Sequence, residues 1–354
     1  MIQSHNFHQS LISIKTFMIN QIIKIILIIG LLSFGLPLPT GGSQGEGLPT
    51  TRIRHFQFHY GASIQNLPAG SRVQVWSPMP QTTSHQKITL LGWNIPGNAR
   101  FTNETKYGNQ IIYFKTKANE SREITFQISY QVERHEVRSL TDMDDQLAKT
   151  LTSQQQVNFL TANQLVPIGG KPLALIPLVD LPKDAMGRGH VLYNHVGDHM
   201  RYDKSKPGYG YGDALWACES RFGNCTDFHS LFISMSRSLG IPAKFVMGFP
   251  LPQTRGQGKI SGYHCWAYFH VKNRGWIPVD ISEADKHPQM RKYYFGNLTP
   301  NRIEFSTGRD IILVPRQSGP LLNYFVYPHV EVDGKPWPME LISKQFSYED
   351  IQIK

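Results

Sequence analysis

Between Arg52 and about Arg138, short apolar or aromatic stretches alternate with turn clusters, as in RIRHFQFHYGASI, SRVQVWSPMP, NQIIYFKTK and SREITFQISYQVERHEV. In EITFQISYQV, Ile124, Phe126, Ile128, Tyr130 and Val132 fall on one face with polar residues between them. Period two marks a strand with one buried face. Such strands at about ten-residue spacing, parted by Gly, Pro and Asn and lacking a helical period, predict an antiparallel sandwich-like domain over residues 50–138. No grouping within it suggests catalysis.

Residues 139–188 read as a connector packing on the core that begins at Gly189. A helical stretch runs from about Asp145 to Thr161, and Pro167, Pro172, Pro177 and Pro182 then forbid one long helix. From Gly189 the period changes. VLYNHVGDHMRYD sets Leu192, Val196 and Met200 on one helical stripe, and a loop rich in Gly and Tyr, KPGYGYGDALWACESRFGN, comes after it. In CTDFHSLFISMSRSLG, Phe228, Leu231, Phe232, Met235 and Leu239 recur at intervals of three and four, which predicts an amphipathic helix. Asn224 or Thr226 caps its start, and Gly240 and Pro242 stop it. Three strand candidates come next: AKFVMGFPL, YHCWAYFHV and GWIPVDIS.

Cys225 therefore opens a helix. There a thiol meets unpaired N–H groups and the positive end of the helix dipole, which favour thiolate and bring its pKa to between about 3.5 and 7.5. An oxyanion could use the Cys225 N–H and a side-chain donor from the preceding loop. Tyr209, Tyr211 and Trp216 lie in that loop, and spacing prefers none of them.

The next two strands supply a base. They are joined by Lys272, Asn273, Arg274 and Gly275, and a three-residue loop closed by a left-handed glycine pairs positions whose numbers sum to 546. His264, Trp266, Tyr268, Trp276, Pro278 and Asp280 then share one face, with Asp280 diagonal to His264 at roughly 7 Å. In that register Asp280 orients His264, His264 takes the proton of Cys225, and the three form a Cys-His-Asp relay for acyl transfer. A slip of one residue breaks it.

At these residues the chain resembles a known family. GNCTDFHSLFISMSRSLGIPAKF, GYHCWAYF and GWIPVDISEA are similar to the three core motifs of the transglutaminase-like superfamily, in its bacterial exported branch. The resemblance runs from about Gly189 to Pro300, and more weakly to NYFVYPHVEVDG. It implies an α+β fold with a papain-like core over 189–300, in which the nucleophile helix packs on an antiparallel sheet, and C-terminal strands over 301–354 that complete the core. By position, Cys225, His264 and Asp280 match the family's nucleophile, base and orienting acid. The family holds cross-linking enzymes, amidases, proteases and members without demonstrated activity, and the motifs do not choose among them.

Composition changes little of this. With 40% hydrophobic and 18% charged residues in a chain of 354, a disordered protein is excluded. Three cysteines exclude a disulfide scaffold and leave one thiol over. Cys218 is read as buried, a bridge to Cys225 in an oxidising compartment being the alternative, and Cys265 is read as packing into the sheet. Residues 1–42 hold Lys15, Lys24, no acid, and an apolar run from Ile25 to Leu36 ahead of Pro37 and Pro39. That layout is a secretory leader, cleaved or retained as an anchor, and too short to span alone because a bilayer needs about 20 apolar residues. The protein is thus expected in the periplasm or at the cell surface, with membrane contact only through an uncleaved leader. The formal charge is +10, falling to +8 without the leader, and no polybasic run or nucleic-acid motif concentrates it. A nucleic-acid partner is not expected, and an anionic envelope component is the remaining polyanion. His195 and His199 have metal-ligand spacing on a helix, but no third ligand is identifiable, so no metal or cofactor is expected.

The sequence thus predicts an exported thiol enzyme acting on protein or peptide amide bonds through a Cys225 acyl intermediate, as hydrolase or cross-linker. The reading from another class is a catalytically silent binding or scaffold module of the envelope.

Overall fold

The alternating N-terminal stretch folds as six strands: β1 (Ile53–Ile64), β2 (Arg72–Met79), β3 (Gln86–Asn94), β4 (Asn98–Asn103), β5 (Gln110–Lys117) and β6 (Ile124–His135). The computed structural model describes residues 52–140 and 150–352. The leader expected over 1–42, and residues 145–149 of the expected connector helix, lie outside the described residues. β1 and β6 pair antiparallel along their whole length, from Ile53 opposite His135 to Ile64 opposite Ile124. Phe56, Phe58 and Tyr60 of one and Phe126, Ile128 and Tyr130 of the other are all buried, so the sequence period of two is the burial period. β2 and β5 form a second sheet with β4 on its edge.

The rest of the sandwich comes from the far end of the chain. After β7 (Ala243–Pro250), β8 (Gln257–Lys259), β9 (His264–Val271), β10 (Gly275–Val279) and β11 (Arg302–Thr307) come β12 (His329–Val332), β13 (Lys335–Pro336) and β14 (Ile342–Asp350). β14 pairs with β1, setting Phe346 opposite Tyr60, and β12 pairs with β2, setting Val330 opposite Val75. The two sandwich sheets run β8-β14-β1-β6-β3 and β13-β12-β2-β5-β4. This corrects the expectation that residues 301–354 complete the core: of its strands only β11 joins the core sheet. The physical reason is that β1 and β2 each have one edge left unpaired by the N-terminal strands, and such edges recruit any strand with matching apolar side chains. The sandwich is accordingly not confined to residues 50–138.

The core sheet runs β10-β9-β7-β11. β9 and β10 pair with Val271 opposite Gly275 and Ala267 opposite Val279, the register the short loop predicts, and Gly275 has φ +91°. Helices α1 (Ser153–Leu160), α2 (Ala185–His199), α3 (Ala214–Ser220), α4 (Cys225–Ser238) and α5 (Ile281–Lys286) surround it. α4 packs on the face carrying Cys265, Ala267 and Phe269, while Trp266, Tyr268 and Trp276 face Val137, Phe159 and Leu298 on the other side. Short helices were hidden from the sequence reading, among them α3 and α5. α3 starts where Asp213 Oδ1 accepts the Leu215 N–H at 2.9 Å, and α5 cuts GWIPVDIS short because Asp280 caps it. α4 keeps the apolar stripe that the spacing predicts, but its polar face is not solvated: every residue from Cys225 to Arg237 is buried. Several of its polar side chains bond to protein instead of water: Arg237 Nη1 donates to Asn163 Oδ1 at 2.7 Å and to the Thr161 carbonyl at 2.8 Å.

Sandwich and core share one apolar interior. Phe58 meets Phe249 at 5.3 Å between ring centroids, and Tyr60 stacks on Phe305 at 5.4 Å. The described residues fall within one compact unit, 45–354. Among them no helix is long and apolar enough to cross a membrane. Gly248 lies between His264 of β9 and a bulge against β11. A Cβ there would overlap the Ile303 carbonyl, which is backbone and cannot rotate away. Gly248→Ala is therefore expected to lower stability by about 1–3 kcal/mol, the range for overpacking, read as a lower urea midpoint. An unchanged midpoint would contradict the close approach.

Candidate active site

The start of α4 is fixed by reciprocal capping. Asn224 Oδ1 accepts the Thr226 N–H at 2.8 Å, and Asp227 Oδ2 accepts the Asn224 N–H at 2.9 Å. Asp227 does more than cap: its two oxygens also accept the N–H groups of Gly210 and Gly212, at 2.8 and 2.9 Å. From the other side Arg309 Nη1 and Nη2 donate to the Gly212 and Tyr211 carbonyls, at 2.7 and 2.8 Å. The Gly and Tyr loop is thus clamped by both its donors and its acceptors beside the thiol. Cys225, 3% exposed, occupies the first helical position, so its N–H is one of the four that a helix leaves without an internal acceptor.

His264 opens β9 and Asp280 ends the β9–β10 hairpin, and the structure brings both to Cys225. His264 Nε2 donates to Asp280 Oδ2 at 2.7 Å, and His264 and Cys225 line the same cleft. Asp280 is fully buried. Its Oδ2 receives a second donor, Arg302 Nη1 at 2.8 Å, while Oδ1 accepts the Ser282 hydroxyl and the Glu283 N–H at 3.2 Å each. Arg302 lies over the Trp266 ring, 4.8 Å from its centroid.

These contacts set the charges. Burial opposes ionisation of Asp280, but His264 and Arg302 hold its carboxyl well below the usual range. Burial likewise opposes an imidazolium at His264, and Asp280 together with the Cys225 thiol overrides it, pushing the pKa up to about 9. At Cys225 the cost of burial is outweighed by hydrogen bonds with Cys265 and His264 and by the His264 charge, which carry the thiol well below its ordinary value. Both shifts favour the thiolate–imidazolium pair over neutral thiol and imidazole.

The sequence reading passed over three contributors, His229, Asp227 and Arg302, and gave a fourth, Cys265, a packing role only. His229 is fully buried one helical turn after Cys225; its Nδ1–H donates to the Cys225 carbonyl at 2.7 Å and its Nε2 accepts the Ile281 N–H at 3.1 Å. Burial brings its pKa down to about 4, so it is a neutral staple between the nucleophile and the residue after Asp280. Its spacing of four from Cys225 was the available signal. Asp227 could have been read from capping-box spacing. Arg302 gave no signal, because nothing local ties a residue on β11 to Asp280. Cys265 sits closer to the chemistry than sheet packing requires: Sγ donates to Thr226 Oγ1 at 3.9 Å and lies 3.7 Å from His229 Nδ1. Burial pushes its thiol well above the ordinary value and that of Cys218 up to about 11, and all three cysteines are free.

A cleft of about 1140 Å³ opens over Cys225 and His264. Tyr209 and Tyr211 line it; Trp216 does not, packing edge-on against Phe222 with 5.2 Å between ring centroids. Tyr202, which the sequence did not single out, also lines it, as does Tyr263, whose hydroxyl accepts from Asn224 Nδ2 at 3.3 Å. His195 and His199 stack on each other, and His199 Nε2 donates to the Cys218 carbonyl at 3.0 Å.

Residues 178–281, the span holding all three site residues, match the family model described as Transglutaminase-like superfamily, and they lie within an α+β fold. An uncharacterized protein of Haemophilus influenzae is 26% identical over 330 residues, covering 81% of this chain and 88% of its own. Among solved structures, a proposed cysteine protease from Cytophaga hutchinsonii is 16% identical, with a TM-score of 0.49, 84% of this chain covered and 99% of that one. The periplasmic domain of TgpA from Pseudomonas aeruginosa is 12% identical, with a TM-score of 0.38, covering 69% of this chain and 92% of its own.

Proposed function

We propose that this protein is a cysteine-dependent amide hydrolase or acyltransferase acting on peptide or protein. The observation that supports this most strongly is the buried, charge-alternating series of Cys225, His264, Asp280 and Arg302 at the floor of an open cleft. In this reading the Cys225 thiolate attacks the amide carbonyl carbon, and the Cys225 N–H donates to the oxyanion that forms. His264 then gives its proton to the departing nitrogen, the carbon–nitrogen bond breaks, and a thioester remains on Cys225. In the second half His264 takes a proton from the acceptor, water or an amine, whose attack on the thioester restores the thiol pair. Asp280 keeps the Nε2 proton in place and stabilises the imidazolium. The leader expected from residues 1–42 gives this chemistry an exported setting, at the envelope.

Peptides with a glutamine side-chain amide and with internal backbone amides test the reading. Release of ammonia or of new amino termini, unaffected by an added primary amine, identifies a hydrolase; incorporation of the amine identifies a cross-linker. Neither event with any peptide, while Cys225 reacts no faster than an ordinary thiol, identifies a silent module.

A further inference from the structure

The charges around the cleft are unequal. Lys204, Lys259 and Lys286 line it against one carboxylate, Glu283. Glu283 is already engaged: it pairs with Lys286, and its Oε2 lies 3.7 Å from His287 Nε2. Two acids near the cleft in sequence are turned to backbone groups, Asp203 Oδ1 accepting the Ser205 N–H and Asp285 Oδ2 the Tyr202 N–H, both at 2.8 Å. Lys204, in the loop after Tyr202, and Lys259, on β8, are exposed and line the cleft with no carboxylate partner among the described residues. Much of the remaining lining is tyrosine: Tyr202, Tyr209, Tyr211, Tyr263, Tyr324 and Tyr327. Such side chains offer apolar area at low entropy cost and a hydroxyl for peptide groups. At about 1140 Å³ the cleft exceeds what one side chain fills and suits several residues of a peptide.

We infer that the acyl donor is an acidic peptide, in which carboxylates flanking the target amide are held by Lys204 and Lys259. The inference rests on the acyl-transfer reading of Cys225 and narrows its substrate. The same charges repel a protonated amine, so water is favoured over a lysine side chain as acceptor.

Iodoacetate and iodoacetamide differ in charge and little in size, so their rate ratio at Cys225 reads the field at the thiol. His264 contributes to that ratio in every protein that keeps it, and its effect cancels between wild type and a Lys204→Gln/Lys259→Gln double variant. At low salt the ratio is expected to fall about 4- to 20-fold in the double variant, since one exposed ion pair is worth up to about fivefold. The difference should shrink at about 0.5 M salt, where screening is nearly complete over a few ångströms. An unchanged ratio overturns the inference. Failure of both reagents to modify wild-type Cys225 instead removes the acyl-transfer reading. Binding then decides the charge preference alone: fluorescent Glu-Gln-Glu and Lys-Gln-Lys peptides are titrated with Cys225→Ala protein. Tighter binding of the acidic peptide, lost when both lysines are replaced, supports the inference. Equal binding, or preference for the basic peptide, overturns it.

Discussion

Cys225→Ala and His264→Ala are each expected to lower kcat on an amide substrate by about 10⁴-fold or more, and the double variant to be little worse than either. The two side chains act as one unit. Without the thiol no thioester forms, and without the imidazole the thiol loses both the hydrogen bond and the positive charge that hold its pKa down. Cys225→Ala should leave the fold intact, because it removes one buried sulfur from a helix start capped by Asn224 and Asp227. Circular dichroism melts alongside kcat separate loss of chemistry from loss of structure. A Cys225→Ala protein that melts normally and keeps a tenth of wild-type turnover would place the nucleophile elsewhere.

The second large effect is expected at Arg302. Asp280 Oδ2 holds the His264 N–H and the Arg302 guanidinium at nearly the same distance, and the Asp280 carboxylate is fully buried. Arg302→Met keeps much of the apolar contact with Trp266 and removes the charge. Removing one partner of a buried ion pair typically costs about 3–5 kcal/mol, and the low end applies here because the His264 imidazolium still faces Asp280. The pH dependence comes from the direction of the Asp280 shift. Its folded-state pKa is depressed, so its contribution to stability is present above the unfolded value and is lost as pH falls through the folded one. Without Arg302 that folded value moves up, and the loss begins at higher pH. The acid limb of the kcat/KM profile should move up by about one pH unit, roughly a tenfold lower rate on that limb. Arg302→Lys should recover part of the shift, since it restores charge but lacks the planar fork. An acid limb that stays in place in a folded Arg302→Met protein would show that Arg302 serves packing alone.

Much of the site was legible because it depends on local geometry. The β9–β10 register came from a three-residue loop and one left-handed glycine, and that register is what sets Asp280 by His264. The start of α4 came from Asn224 and from the apolar period behind it. The strands of the N-terminal sandwich came from alternation. What escaped was settled by long-range pairing. Nothing within residues 329–350 says that β12 and β14 will leave the core and close the two sandwich sheets, since their partners lie nearly the whole chain away. The same holds for Arg302, brought to Asp280 by the pairing of β11 with β7. The buried polar face of α4 was misread for a related reason: Ser, His and Arg on a helix signal solvent until their partners are known.

The central claim is that Cys225 alone among the three cysteines is a thiolate near neutral pH, made so by His264. The measurement that tests it most directly is the rate of iodoacetamide labelling of each cysteine, resolved by mass spectrometry, between pH 5 and pH 10. The expected result is rapid labelling of Cys225 well below pH 8, level until His264 begins to lose its proton at about 9. Cys218 and Cys265, whose thiols burial pushes up, stay nearly unlabelled across that range. In His264→Ala the Cys225 rate should fall and climb only with alkaline pH. Slow, equal labelling of all three cysteines, rising together toward pH 9 and unaffected by loss of His264, would contradict the account.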